Sequence, residues 1–159
     1  MSARILTIIQ KEIQEVAHLR NEIGEKSNVM IWIDEAHRYM SGDLNGKMGE
    51  LCSIIIDAVK VNRKYGIGMV AISQTIRSLH KDIVGNLRFY CFGYGLNDSD
   101  EMRSLRRFVT DEDALKRYRH MQDPQTSGKY TFMIMGPISP FVGVSPIFLD
   151  VYNNFNDFK

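Results

Sequence analysis

The chain has 159 residues, a formal net charge of +1, 44% hydrophobic residues and 25% charged residues. This length suits one domain with a substantial core, and the composition is ordinary for a soluble globular protein. A net charge so near zero excludes a global electrostatic attraction to nucleic acid or membranes. Any DNA contact must therefore come from a local patch.

Other features of the sequence exclude a membrane or secreted protein. No apolar run approaches the ~20 residues of a membrane-spanning helix. Lys11, Glu12 and Glu15 interrupt the first apolar segment, which is therefore not a secretory signal. Cys52 and Cys91 lie in apolar segments without metal-ligand spacing, which predicts buried, reduced thiols. We therefore expect a cytoplasmic protein.

The first predicted element is a helix over residues 4–23, followed by Gly24 as a C-terminal stop. Its apolar residues recur with helical spacing and form a wide face. Such a face needs a surface to pack on, and the printed sequence offers none before it. We therefore expect that the segment belongs to a longer protein.

A strand predicted over residues 28–33 ends in two adjacent carboxylates, Asp34 and Glu35. Its uninterrupted apolar run is typical of a parallel strand buried on both faces. Ligands of α/β sheets bind at the carboxyl ends of such strands. A hydrated Mg²⁺ on a nucleotide would offset the cost of the two charges, with Asp34 holding the ion through water and Glu35 orienting an attacking water. The alternative is that both residues simply cap the next helix.

A second strand is predicted to reach the same sheet edge. After a loop, a helix is predicted over residues 47–64, and a buried strand follows over residues 67–73 and ends at Gln74. Strand, crossover helix and strand form a parallel βαβ unit. The Gln74 amide is therefore expected beside Asp34 and Glu35, where it could position water or sense a phosphate. Alternatively, Gln74 is a turn residue that hydrogen-bonds a loop.

The remaining elements are predicted from apolar runs, caps and turn residues. A helix over residues 97–108 would be capped by Asn97, Asp98 or Ser99, and a helix to about His120 would begin with Thr110 and Asp113 as a capping box. Three strands are predicted over residues 87–94, 129–135 and 143–151. We expect the last two to pair as an antiparallel hairpin at one edge of the sheet.

The sequence contains no phosphate-cradling loop of the form Gly-x-x-x-x-Gly-Lys-Ser/Thr. Residues 42–48 come closest, but one residue is missing between the glycines and Met48 replaces the required hydroxyl. Gly128 and Lys129 lack the upstream glycine. If the chain belongs to a nucleotide enzyme, its main phosphate site lies elsewhere.

Three segments in order resemble the C-terminal half of a HerA/FtsK-superfamily ATPase core, with HerA-type DNA translocases nearer than the FtsK branch. They are residues 31–38 (Ile-Trp-Ile-Asp-Glu-Ala-His-Arg), 62–66 (Asn-Arg-Lys-Tyr-Gly) and 69–74 (Met-Val-Ala-Ile-Ser-Gln). The resemblance covers roughly residues 28–150.

The resemblance implies a partial RecA-like α/β fold, a three-layer α/β/α arrangement with a mainly parallel sheet and a C-terminal antiparallel edge hairpin. The chain would be a single domain over residues 1–159. Its parts would be a leading helix (1–24), a Walker B and sensor core (28–135), a terminal edge strand (136–152) and a frayed tail (153–159).

The resemblance also implies roles for the residues singled out above. Asp34 would be the Walker B magnesium residue, acting through water, Glu35 the catalytic carboxylate and Gln74 the polar sensor. Arg63 matches the arginine that such rings offer to the nucleotide of the next subunit, where it stabilises transition-state charge. Its alternative role is a helix C-terminal cation.

His37 and Arg38 follow the carboxylates and would relay nucleotide state toward DNA. Alternatively, and equally well, His37 is an ordinary polar residue whose hydrogen bond is satisfied within the fold.

The implied cofactors are ATP and Mg²⁺, and the implied assembly is a hexameric ring that grips DNA without base specificity, with a nuclease as a candidate partner. Because the Walker A half is missing, we expect no ATP bound to this chain alone and no hydrolysis by it. The partner that completes it would be the missing N-terminal ATPase half.

Two other interpretations stay open. The chain could be a non-catalytic α/β interaction module derived from such an ATPase. It could also be a fragment of a DEAH-type superfamily 2 helicase, as the letters Asp-Glu-Ala-His at 34–37 suggest, although the Ser-Ala-Thr element of that family is missing.

Basic residues in the range 103–119 form a candidate DNA-facing patch, with a mixed solvated surface as the alternative because acidic residues lie among them.

Overall fold

A computed structural model of the protein describes residues 3–96, 98–137 and 145–152. The chain divides into two compact units, residues 1–87 and residues 88–159. The predicted single-domain organisation is not tested by this division and stays a prediction. The predicted tail (153–159) and the segment between the last two strands (138–144) lie outside the described residues.

The first unit is built on a parallel βαβ motif, as the order of apolar segments predicts. β1 pairs in parallel with β2 from Val29 opposite Ile67 to Ile33 opposite Ala71. Because the strands start and end in register, their carboxyl ends lie side by side. The helices and strands of this unit are α1 (Ala3–Glu22), β1 (Val29–Ile33), α2 (Gly46–Val61), β2 (Ile67–Ala71) and α3 (Lys81–Asn86).

The core of the first unit lies on one face of this two-stranded sheet. Ile33, Met69 and Ala71 pack against a cluster of buried residues from α2, α3 and the loop after β1. The cluster consists of Ala36, Met40, Leu51, Cys52, Ile55 and Ile83. The crossover helix α2 therefore covers this face.

The expectation that β1 is buried on both faces is wrong. Side chains alternate along a strand, so Ile33 points to the core while Met30 and Trp32 point to the opposite face. Met30 is 58% exposed and Trp32 is 67% exposed, because the described residues supply no layer that covers this face.

The wide apolar face of α1 is only partly used. Leu6 packs against the core cluster and Ala17 is buried, whereas the apolar residues on the other side of the helix are exposed. The exposed ones are Ile5, Ile8, Ile9, Val16, Leu19 and Ile23. The helix is thus apolar on two sides and packs with one of them.

The second unit contains a three-stranded antiparallel sheet in the order β3-β4-β5. The predicted antiparallel pairing of the last two strands is confirmed for the described residues. There the hairpin belongs to this separate sheet, with β4 as its central strand, and not to the edge of the parallel sheet. The elements are β3 (Tyr90–Phe92), α4 (Ser99–Leu105), α5 (Glu112–Arg119), α6 (Pro124–Ser127), β4 (Lys129–Met135) and β5 (Ile147–Tyr152). With one parallel and one antiparallel sheet, the mixed α/β class is confirmed.

Two details of the second unit differ from prediction. α5 is capped by Asp111 rather than Thr110, because the Asp111 carboxylate accepts hydrogen bonds from the backbone N–H groups of Asp113 and Ala114. Cys91 is exposed rather than buried, because it alternates along β3 with the buried Phe92. Cys52 is buried, as predicted.

The turn before β2 provides a test of the fold. Gly66 has φ of 73°, and a Cβ atom there would lie 2.9 Å from the Lys26 Cβ. Gly66→Ala should therefore lower the free energy of unfolding by about 1–2 kcal/mol, measured by chemical denaturation. The matched control is Gly85→Ala, an exposed α3 position with no atom within 4 Å of the added Cβ. There alanine should stabilise by about 0.5–1 kcal/mol, and equal effects at both sites would contradict the assigned turn.

The stability of the β4–β5 pair should depend on pH through the ionisation of Asp150. The Thr131 hydroxyl donates a 2.6 Å hydrogen bond to this carboxylate and Lys129 donates another at 3.0 Å, and together they lower the pKa of Asp150. A lowered pKa stabilises the folded state above the unfolded pKa of about 3.9, and this contribution is lost as the pH falls. Urea titrations at falling pH should show a shallower loss of stability for Asp150→Asn than for the wild type, and identical slopes would contradict this.

Candidate functional site

The loops that follow β1 and β2 are tied together at one edge of the parallel sheet. The Ile72 N–H donates to the Ile33 carbonyl at 2.9 Å, and the Ala36 N–H donates to the Ile72 carbonyl at 2.8 Å. Further along, the His80 N–H donates to the Met40 carbonyl at 2.7 Å. These backbone bonds hold the residues after both strands at a common edge, where α/β sheets bind ligands.

Glu35 and Gln74 meet at this edge. The Gln74 Nε2 donates a hydrogen bond to the Glu35 Oε1 at 2.9 Å, although 39 positions separate them in sequence. The His37 Nε2 lies 3.4 Å from the other carboxylate oxygen, Oε2. The carboxylate is therefore held between an amide and an imidazole. This placement agrees with the predicted meeting of Glu35 and Gln74, while their roles stay predictions.

The backbone at Glu35 is strained. Its φ of 52° and ψ of 43° are left-handed, a conformation that costs a non-glycine residue about 1–2 kcal/mol. The Asp34 Oδ1 accepts a hydrogen bond from the Glu35 N–H at 2.8 Å and supports this turn. Strain of this kind is common at functional sites, where the surrounding structure maintains it.

The turn also decides against the capping alternative. A single 3₁₀ turn, Ala36–Arg38, follows the carboxylates, and the Glu35 side chain makes no capping hydrogen bond to it. The Gln74 amide bonds Glu35 in the loop after β1, which fits both the predicted sensor and the alternative of a turn residue that hydrogen-bonds a loop. The turn after β2 is held by Ser73, whose hydroxyl donates to the Thr75 carbonyl at 2.8 Å.

His37 and Arg38 differ in their surroundings. The His37 Nδ1 is buried and has no hydrogen-bond partner among the described residues. The imidazole is thus oriented on one side by Glu35 and unsatisfied on the other. Arg38 is exposed at the end of the 3₁₀ turn. Its predicted relay role has no structural test.

Arg63 lies at the other end of the sheet. It belongs to the 3₁₀ turn Asn62–Tyr65, which directly precedes β2, whereas Gln74 follows β2. A strand of five residues separates the two ends by roughly 16 Å. The exposed Arg63 therefore lies far from Glu35 of the same chain. Its action on the nucleotide of another subunit stays a prediction, and so does its alternative role as a cation at the end of the turn.

The chemistry at this edge fits a nucleotide-bound magnesium ion. Among the described residues, no group of three or more His, Cys, Asp or Glu side chains could hold a metal by itself. Magnesium is commonly held by one or two carboxylates, with phosphates and water completing its shell. Asp34 suits this use because it is exposed and uses only Oδ1 in the contacts described above.

The structure brings together some of the basic residues that are spread over positions 103–119 of the sequence. In the second unit, a cavity of about 660 Å³ is lined by Ser99, Met102, Arg103, Arg106 and Arg119. The sequence marked residues 103–119 as basic, but it did not indicate which of them meet, because Arg119 lies on α5 whereas the other four residues lie on α4 or directly after it. No helix among the described residues is long and apolar enough to cross a membrane.

Comparison with solved structures shows that the chain shares the fold of viral genome-packaging NTPases. The particular relatives are structures of B204, the genome-packaging NTPase of Sulfolobus turreted icosahedral virus 2, in complex with ATP-gammaS (TM-score 0.56, 16% identity) and with AMPPCP (TM-score 0.57, 16% identity). The B204 DNA-packaging ATPase of Sulfolobus turreted icosahedral virus matches with a TM-score of 0.55 and 17% identity. At such identities the likeness shows a shared fold.

The match covers 77–78% of this chain and 51–52% of the B204 chains. The chain therefore spans about half the length of the structures it matches. No protein-family model matches the sequence, and no curated protein matches it either.

The Glu35–Gln74 contact can be tested without nucleotide. Glu35→Ala removes the acceptor, so the Gln74 side-chain amide resonances should move to the positions of a solvent-exposed glutamine in a ¹H–¹⁵N spectrum. Glu25→Ala, an exposed control, should leave them in place. Unchanged Gln74 resonances in Glu35→Ala would contradict the contact.

Proposed function

We propose that this chain is the C-terminal half of a HerA-like ATP-dependent DNA translocase or helicase motor. The observation that supports this most directly is the 2.9 Å hydrogen bond from the Gln74 amide to Glu35 at the carboxyl ends of two adjacent parallel strands. The P-loop ATPase fold shared with B204 agrees with it. In this proposal residues 1–159 are one domain, the C-terminal portion of a RecA-like core.

Each residue at the edge has a chemical task in this proposal. Asp34 would hold Mg²⁺ through water, and the ion would supply neutralisation of charge on the ATP phosphates. Glu35 accepts a proton from the water that attacks the terminal phosphate. The Gln74 amide has two N–H groups, so it can bond Glu35 with one and present the other to a phosphate oxygen.

The contact with His37 helps to fix the orientation of the Glu35 carboxylate. A carboxylate held between Gln74 and His37 has few orientations, so the position from which it would accept the proton of the attacking water is set before substrate binds. The neighbouring Arg38 would carry a change at Glu35 toward DNA. Both residues remain proposed relay groups.

Arg63 acts in trans in this scheme. Its position before β2 directs it away from the Glu35 edge, so a second subunit must supply the nucleotide that it contacts. An arginine delivered across an interface stabilises the charge that develops on the phosphate oxygens. A hexameric ring satisfies this requirement. The same proposal includes binding of DNA through its backbone, a partner nuclease and a cytoplasmic location.

The absence of a phosphate-cradling loop from the sequence limits what this chain does alone. Its own residues provide a magnesium carboxylate, a base and a sensor, but no glycine-rich backbone that binds the phosphates. ATP and Mg²⁺ would bind only after a Walker A half joins it. The same absence favours the second candidate, a non-catalytic interaction module that kept the fold.

The catalytic role is tested in the complete protein that includes this segment. Glu35→Gln keeps the size and hydrogen-bonding capacity of the side chain but removes its basicity. It should lower kcat for ATP hydrolysis by about 10²–10⁴-fold while ATP binding persists. Glu25→Gln, at an exposed position on the surface, is the control and should leave kcat unchanged. Unaltered turnover in Glu35→Gln would remove Glu35 from this role and favour the interaction module.

A second experiment on this chain alone tests whether the main phosphate contacts come from another half of the ATPase. Titration with ATP and Mg²⁺ in a calorimeter should give no binding in the micromolar range, because the phosphate loop is missing. Micromolar affinity would contradict the proposal that a second half supplies the main phosphate contacts.

A further inference from the structure

The cavity in the second unit is lined mainly by positively charged side chains. Three of its five lining residues, Arg103, Arg106 and Arg119, are arginines, and none is acidic. We call this site the arginine cavity. It involves none of the residues assigned to ATP chemistry, so it can be judged separately from the proposed function.

The fold brings the three guanidinium groups together from two helices. Arg103 lies on α4 and Arg106 directly follows this helix, while Arg119 is the last residue of α5. The Arg106 side chain reaches the first residue of α5, Glu112, at 3.3 Å. At the other end of α5, the Tyr118 hydroxyl donates a 2.6 Å hydrogen bond to the Gly93 carbonyl and fixes the helix beside Arg119.

The internal partners of these arginines leave capacity for a ligand. Arg103 lies 3.7 Å from Asp100 in an exposed pair, and Arg106 shares Glu112 through one nitrogen. Exposed ion pairs of this kind are weak and are easily exchanged. Arg119 has no ion-pair or hydrogen-bond partner among the residues that the structure describes.

The helix dipole does not account for the grouping. It favours a cation near the end of each helix separately. It gives no reason for three cations to line one cavity. Asp100 and Glu112 offset the charges of Arg103 and Arg106 from outside the lining, and the lining itself contains no acidic residue. A guanidinium fork can donate two parallel hydrogen bonds to a phosphate group, a geometry that lysine lacks.

We propose that the arginine cavity binds a phosphate group. The shared chemistry is that of a phosphate ester or phosphate ion, and it has two possible sources: a nucleic-acid backbone or a free phosphate compound. Arg119 supplies a guanidinium group that has no competing partner among the described residues, while Arg103 and Arg106 exchange their weak acidic partners for the phosphate oxygens.

The test uses the whole 159-residue chain. One arm titrates a fluorescent single-stranded oligo-dT and follows its anisotropy, and the other titrates inorganic pyrophosphate in a calorimeter. Arg119→Gln should raise the Kd for the bound probe by about tenfold. Arg119→Lys keeps the charge, loses the fork and should give a smaller increase.

The matched control is Arg107→Gln. Arg107 is exposed, carries the same charge two residues after the end of α4 and does not line the cavity. It should change the Kd by less than about twofold, as expected of general electrostatics.

The two arms distinguish the source of the phosphate. Arg119-dependent binding of oligo-dT alone assigns the cavity to a nucleic-acid backbone, and Arg119-dependent binding of pyrophosphate assigns it to free phosphate compounds. Equal losses in Arg119→Gln and Arg107→Gln would overturn the proposal, as would the absence of binding in both arms or wild-type affinity in both Arg119 variants.

Discussion

The parallel, in-register pairing of β1 with β2 is the constraint on which the candidate site depends. Because Ile33 lies opposite Ala71, both strands end at the same edge, and Ile72 extends the pairing by bonding residues on both sides of the Asp34–Glu35 turn. Residues far apart in sequence are thereby held within hydrogen-bond distance. A shift of the register by one residue would turn the side chains of β2 to the opposite face and separate Gln74 from Glu35.

The first unit exposes apolar surface on one face of its sheet and on one side of α1. A strand that is apolar at every position and a helix that is apolar on two sides are suited to layers on both sides, yet the described chain covers only one side of each. Met30 and Trp32 lie on the uncovered sheet face. If the chain is half of an ATPase, both the phosphate contacts and the second covering layer would come from the other half.

Local patterns predicted most of the elements, and the errors have specific causes. The order of strands and helices, the βαβ unit and the antiparallel β4–β5 pairing follow from apolar periodicity and turn residues, which act over short distances. The separate antiparallel sheet to which this pair belongs was not predicted. The burial of Cys91 and of both faces of β1 was predicted wrongly, because burial depends on which layers cover a strand. The choice of Asp111 over Thr110 as a cap depends on a difference of one residue, which spacing alone does not resolve.

The sequence by itself determined the chemical groups at the sheet edge: two carboxylates after one strand, an amide after the next, and no glycine-rich phosphate loop. These follow from residue type and spacing. The tertiary structure alone decided that Glu35 adopts a left-handed turn, that His37 lies beside its carboxylate and that Arg119 joins Arg103 and Arg106 around one cavity. These features depend on backbone bonds between loops and on the placement of separate helices, which no local pattern of residues specifies.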